Sequence, residues 1–108
     1  MEISPSKLNI WLNKKDSSLL RIIDCREEDE WNICHIKRAE LIPSSVFIDS
    51  INKLRGSKSV TFVIYCHHGM RSLHATHHMR SKGFQKIYNL AGGIDRWASD
   101  IDPTMNRY

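Results

Sequence analysis

The chain is 108 residues long, 41% hydrophobic and 26% charged, an ordinary globular balance that allows one domain with a modest core and excludes wholesale disorder. Its net charge of +4 is uneven: residues 1–55 hold nine basic and nine acidic side chains, residues 56–108 seven and three. So small an excess, without interleaved aromatics, argues against nucleic acid as a partner, and the longest apolar run, Phe62 to Cys66, is far too short to cross a membrane.

Ser4-Pro5-Ser6 reads as a helix start, with Pro5 near the first turn and Leu8, Trp11 and Leu12 following at helical spacing. Leu19 to Cys25 reads as a strand. Glu27 to Glu30 crowd acid into the first turn of a second helix, where the dipole favours it, and Trp31 and Ile33 supply its apolar contact. Ala39 to Ile42 is a short strand closed by Pro43, after which Ser44-Ser45 cap a helix through Val46, Phe47 and Ile51. A loop around Gly56, from Lys53 to Ser59, leads into the strand Val60 to Tyr65. The Cys66 loop comes next, then a helix from Leu73 to Lys82 that Gly83 terminates. Ile87 to Leu90 is a further strand, Gly92-Gly93 a turn, and Ile94 to Ser99 a short helix carrying Trp97. Strands alternating with helices imply an α/β fold with a parallel sheet covered on both faces. No repeat or interdomain linker interrupts the pattern, so residues 1–108 read as one domain.

Three cysteines without paired spacing suit a reducing compartment better than a disulfide framework. Met1 to Pro5 has neither the basic stretch nor the apolar core of a secretory leader, so a cytoplasmic location is expected.

The segment richest in chemistry is Cys66-His67-His68-Gly69-Met70-Arg71-Ser72. A cysteine at the end of a buried strand, then a short glycine-containing loop and a helix start, gathers backbone N–H groups and the positive end of the helix dipole around the sulfur. Arg71 adds a fixed positive charge. Such surroundings lower a cysteine pKa and stabilise an anion bound beside it. No acidic residue lies between Asp49 and Asp95, so the loop sits in a stretch whose field would gather an anionic substrate or an acidic partner.

Four segments together carry a family resemblance. Ile22-Ile23-Asp24-Cys25-Arg26-Glu27, the stretch from Cys34-His35-Ile36-Lys37-Arg38-Ala39 to Ile42-Pro43, the Cys66 loop, and Asn89-Leu90-Ala91-Gly92-Gly93-Ile94 with Trp97 and Asp102-Pro103…Tyr108 occur in that order. The chain thereby resembles a single-domain rhodanese, a sulfurtransferase module. It departs from that pattern at Cys34, where glycine is usual, at Lys37-Arg38, where proline and glycine are common, and at Cys25, which replaces a customary valine.

The resemblance implies a rhodanese-like α/β fold with a parallel sheet of about five strands and helices on both faces. It implies Cys66 as a nucleophile that takes the sulfane sulfur of an anionic donor such as thiosulfate, holds it as a persulfide, and yields it to a thiophilic acceptor. Backbone N–H groups from His67, His68, Gly69, Met70, Arg71 and Ser72 would line the anion-binding loop. Gly69 would let the backbone curl tightly, Arg71 would grip the donor's oxyanion end with forked hydrogen bonds, and Ser72 would cap the next helix. No metal and no organic cofactor is implied. The loop and the Asp-Pro…Tyr tail also resemble rhodanese domains associated with sulfur-carrier and ubiquitin-activating-like enzymes, which implies a role in cofactor or tRNA sulfur metabolism; the basic field around the loop would suit an acidic sulfur-acceptor protein.

Two other functions fit parts of the pattern. A persulfide-carrying or protein-binding module would keep Cys66 without much turnover. A dual-specificity phosphatase also sets a cysteine and an arginine around an anion, but needs five residues between them to encircle a phosphate, one more than the four here. The tighter loop favours sulfur. Among the remaining candidates, Asp24 and Arg26 read as an ion pair bracing the active-site mouth. His74, His77 and His78 read as a solvated helix face opposite Ala75, Thr76 and Met79, and His35 as satisfying backbone groups in the core. His67 and His68 either tune the thiolate or contribute only backbone. Cys25 and Cys34 could act as resolving thiols toward a Cys66 persulfide, but sequence gives no distance between them and both read as bystanders; Trp11, Trp31 and Trp97 read as core or half-core aromatics.

Overall fold

The computed structural model describes residues 1–14, 19–54 and 59–108. Most of the expected loop around Gly56 therefore lies outside the described residues. The strands are β1 (Glu2–Ile3), β2 (Leu20–Asp24), β3 (Ala39–Leu41), β4 (Thr61–Tyr65) and β5 (Ile87–Leu90). The helices are α1 (Pro5–Leu12), α2 (Glu28–Ile33), α3 (Phe47–Ser50), α4 (Met70–Ser81) and α5 (Gly93–Asp100), with single 3₁₀ turns on either side of α3.

All strand pairs are parallel, in the order β1-β5-β4-β2-β3. The central strands are apolar on both sides because both sheet faces are covered. Ile22, Val63, Tyr65 and Leu90 meet Leu8 of α1 and Ile94 and Trp97 of α5 on one face. Ile23, Cys25, Phe62, Ile64, Cys66 and Ile87 meet Phe47 of α3 and Met79 of α4 on the other.

Local signals explain most boundaries. Ser4 caps α1, its Oγ accepting the Lys7 N–H at 3.1 Å behind Pro5 in the first turn. Acid in the first turn of α2 comes with a capping box between Glu27 and Glu30. Gly83 follows α4 at φ +97°, as a helix-terminating glycine should. Two expectations about side chains change. Ile33 is exposed, and α2 buries none of its residues. His35 is also exposed, with its ring stacked on Trp31 at 3.7 Å and Nδ1 against the Trp31 carbonyl at 3.0 Å, so it braces a surface turn and not the core.

The carboxyl ends of all five strands lie at one edge. The connection after β2 runs outward to β3 and the one after β4 runs the other way to β5, so the order reverses between β2 and β4. In open parallel sheets a crevice forms at such a point. Cys25 follows β2 there and Cys66 follows β4.

Candidate active site

Cys66 is the first residue past β4, with 1% of its surface exposed. Its side chain stays on the face covered by α3 and α4, while the backbone turns through His67, His68 and Gly69 into α4. Gly69 caps that helix at φ +108°, a left-handed conformation few other residues adopt. The turn points the Gly69 N–H at the Cys66 Sγ, 3.2 Å away, and the first turn of α4 adds the Ser72 N–H at 3.4 Å. The Ser72 hydroxyl lies 3.3 Å from the same sulfur. Because α4 begins at Met70, Ser72 sits inside its first turn and does not cap it; it is fully buried and its backbone N–H donates to the sulfur.

The opposite wall is α5. The N–H groups of Ile94 and Asp95 donate to the carbonyls of Cys66 at 2.9 Å and His67 at 3.1 Å, fixing the peptide that carries the sulfur. The approach is so close that a Cβ on Gly93 would sit 2.5 Å from the Cys66 carbonyl oxygen, and Gly93 has φ +61°. Only glycine fits there. Asn89, at the end of β5, accepts from the Ser72 hydroxyl and donates to the Gly69 carbonyl at 3.1 Å and to Glu2 at 2.9 Å. It was not among the expected site residues, since a lone asparagine in a strand carries no signal until its neighbours are known.

These donors hold the Cys66 pKa well below its ordinary value, at about 4. The largest influence is the neighbouring Cys25 thiol. Ser72 and Gly69 follow, and burial works against all of them. The same pairing, with burial, pushes the Cys25 thiol up. The two shifts run in opposite directions, favouring the negative charge on Cys66 and the proton on Cys25. Cys34 packs on the other sheet face, with its carbonyl bonded to Arg26 at 2.6 Å.

Asp24 and Arg26 form the expected ion pair, fully buried with Nη2 to Oδ2 at 2.7 Å and Nε to Oδ1 at 2.9 Å. Arg26 continues to the Tyr108 hydroxyl at 2.7 Å, which bonds Glu30 at 2.7 Å, and Glu30 grips Arg71 at 2.8 and 2.9 Å. A line of charge thus runs from the foot of β2 to the loop. Arg71 was expected to reach for a substrate's oxyanion end; in the structure its guanidinium fork is closed on Glu30. That carboxylate is held at about 2 by the pair. A gap in the sequence is not a gap in space. Glu30 from α2 and Asp95 from α5 both enter the apparently acid-free loop.

His67 stacks on Tyr108 at 3.9 Å and meets the His68 ring at a tilt, also at 3.9 Å, and burial lowers its pKa. His68 is exposed, 3.9 Å from Asp95. The ligand atoms of His67, His68 and Asp95 lie within 4.8 Å of one another, but Asp95 already pairs with Arg107 at 2.8 Å. His74 and His77 are exposed as expected, whereas His78 is half-buried at an open groove of about 410 Å³ beside the loop. Phe47, Ile48, Met70, Arg71 and His74 also line that groove.

A buried thiolate in an amide cradle at the carboxyl edge of a parallel sheet is the architecture expected of a rhodanese, and comparison with known proteins agrees. The model of the rhodanese-like domain matches residues 4–100. The chain belongs to the rhodanese-like family. Relatives include the probable adenylyltransferase/sulfurtransferase MoeZ of Mycobacterium tuberculosis, 36% identical over 106 residues, which cover 98% of this chain and 26% of that protein. Another, the uncharacterized protein YqhL of Bacillus subtilis, is 37% identical over 81 residues, 75% of this chain and 63% of its own length. The chain thus spans about a quarter of the first and under two thirds of the second. Among solved structures, the human single-domain sulfurtransferase TSTD1 superposes with a TM-score of 0.75 at 25% identity, covering 92% of this chain and 96% of that one. SSP1007 of Staphylococcus saprophyticus reaches 0.80 at 25% identity, over 94% and 97%. Rhodanese-like relatives range from sulfurtransferases to tRNA uridine(34) hydroxylases. No helix among the described residues is long and apolar enough to cross a membrane.

Proposed function

We propose that this rhodanese-like chain is a sulfurtransferase that carries a sulfane sulfur as a Cys66 persulfide. The observation that supports this most is the cradle itself. The Gly69 and Ser72 N–H groups converge on the sulfur within 3.4 Å, and a thiolate kept at a pKa of about 4 is fully formed at neutral pH. The Cys66 thiolate attacks the outer sulfur of a donor such as thiosulfate, the S–S bond breaks, and sulfite leaves with the electron pair. The persulfide's negative terminal sulfur then lies against the loop amides. A thiol or cyanide removes it and returns the thiolate.

With Arg71 paired to Glu30, the donor's charge is met mainly by backbone N–H groups, which suits small sulfur anions better than a phosphoryl group needing a free guanidinium. The groove beside the loop offers an acceptor protein an apolar floor with Arg71 and His74 at its rim. Closure of Arg71 on Glu30 also favours a second reading, a carrier loaded by another protein's persulfide with little turnover on thiosulfate.

Incubation with thiosulfate, followed by intact-mass measurement beside Cys66→Ser, tests the reading. One added sulfur atom, absent from the variant and removed by cyanide, is the expected result. If protein persulfide loads Cys66 and thiosulfate does not, the carrier reading stands; if neither loads it, sulfur transfer is refuted.

A further inference from the structure

Cys25 lies outside the scheme above, yet its position is specific. Asp24 pairs in register with Tyr65 on the neighbouring parallel strand, and the ladder continues with the Cys25 N–H donating to the Tyr65 carbonyl at 3.0 Å. One residue further on, Cys25 and Cys66 face each other across β2 and β4. Side chains alternate along a strand, and Ile23 with Cys25 and Ile64 with Cys66 all fall on the face covered by α3 and α4. Neighbouring strands run about 4.8 Å apart, within the roughly 4.4–6.8 Å between Cα atoms that a disulfide bridges. The two thiols also point the same way off the sheet.

We propose that Cys25 is a resolving thiol that closes a reversible disulfide with Cys66 when a peroxide oxidises the reactive sulfur. In the first step the Cys66 thiolate attacks one peroxide oxygen, the O–O bond breaks, and hydroxide leaves, giving the sulfenic acid. In the second the Cys25 sulfur attacks the Cys66 sulfur, the S–O bond breaks, and the departing hydroxyl takes the Cys25 proton and leaves as water. The peroxide is reduced by two electrons and the two cysteines together are oxidised by two. A dithiol reverses the change.

The chemistry is ordered by the charge of Cys66. While it is a thiolate, Cys25 stays protonated beside it and does not compete for substrate. Oxidation to the neutral sulfenic acid removes that charge and with it the main influence holding the Cys25 proton. Both sulfurs are buried, so the sulfenic acid meets Cys25 before a bulky external thiol. Closing the bond keeps Cys66 off the irreversible path to sulfinic acid. Cys34 packs on the opposite sheet face and is excluded from the pair.

The test needs no sulfur donor, so its outcome is independent of the sulfurtransferase reading. Fully reduced protein is treated with one equivalent of hydrogen peroxide, alkylated under denaturing conditions, digested and mapped by mass. The expected product lacks two hydrogens, leaves one of the three cysteines, Cys34, open to alkylation, and yields a peptide linking Cys25 to Cys66 that dithiothreitol cleaves. Cys25→Val should instead gain oxygen on Cys66 and form a dimedone adduct. Oxygen on Cys66 in the parent with Cys25 still alkylatable would overturn the proposal, as would a link through Cys34. The peptide map of the parent decides the matter even if the variant does not fold.

Discussion

Replacing Ser72 by alanine isolates one member of the cradle. The substitution removes the hydroxyl 3.3 Å from the Cys66 sulfur and keeps the backbone N–H at 3.4 Å. A hydrogen bond to a charged group is worth about 1.5–3 kcal/mol, and one pKa unit corresponds to about 1.4 kcal/mol. Losing that donor should therefore raise the Cys66 pKa from about 4 by roughly one to two units. The assay is the initial rate of alkylation by iodoacetamide as a function of pH. Thiolate is the reactive form, so the rate rises through the pKa and levels off above it. The midpoint should move up while the plateau near neutrality stays put, because the thiolate is complete there in both proteins. The Ser72 hydroxyl has a single proton, which it can give to the sulfur or to Asn89. A midpoint that does not move would show that the Ser72 hydroxyl keeps donating to Asn89 and would refute the assignment of that hydroxyl as a donor to the thiolate.

Gly93→Ala should cost more than about 2 kcal/mol, because a Cβ meets backbone 2.5 Å away at a positive φ, whereas Gly83→Ala, with open space around it, should cost about 1 kcal/mol. Thermal melts of the two compare them directly, and equal losses would dismiss close packing of α5 on the loop. Glu30→Gln unlocks Arg71, so KM for thiosulfate should fall with little change in kcat, and adding Arg71→Lys should undo the gain; an unchanged KM places that charge out of reach of the donor. Tyr108→Phe keeps the ring on His67 but deletes the hydroxyl that bonds both Arg26 and Glu30, which should lower stability by about 1 kcal/mol in urea titration while leaving the alkylation midpoint alone.

What the sequence reveals here depends on how local the cause is. Ser4-Pro5, the acidic turn before Trp31 and Gly83 act within a few residues, and the elements they bound fall where expected, within about two residues. β1 is missed because two residues hold no pattern; it exists only through its pairing with β5. The start of α4 lies three residues early for a related reason. The amides at Met70 and Arg71 enter the helix because Gly69 supplies the left-handed cap, and a cysteine-led loop masks that signal. In the site, the motif identifies Cys66 and its loop, and Asp24-Arg26 as a pair. It does not place Glu30 on Arg71, Asn89 under Ser72 or Cys25 against Cys66, since each depends on the register of strands far apart in the chain. The ion pair of Arg71 is illegible in sequence for that reason: its partner Glu30 is 41 residues upstream.

The pairing of Glu2 with Asn89 spans 87 positions. Contacts of that range form late, because the chain must close a long loop before they repay its entropy. Asn89 also holds the Ser72 hydroxyl and the Gly69 carbonyl, so the surroundings of Cys66 are complete only when the first strand has docked on the last. In the unfolded chain the cysteine is an ordinary thiol with a pKa near 8.5, mostly protonated at neutral pH and slow to react. Its acidity is therefore a clock built into the molecule. A brief pulse of alkylating agent at pH 6 marks chains in which Cys25, Gly69 and Ser72 have already gathered around Cys66.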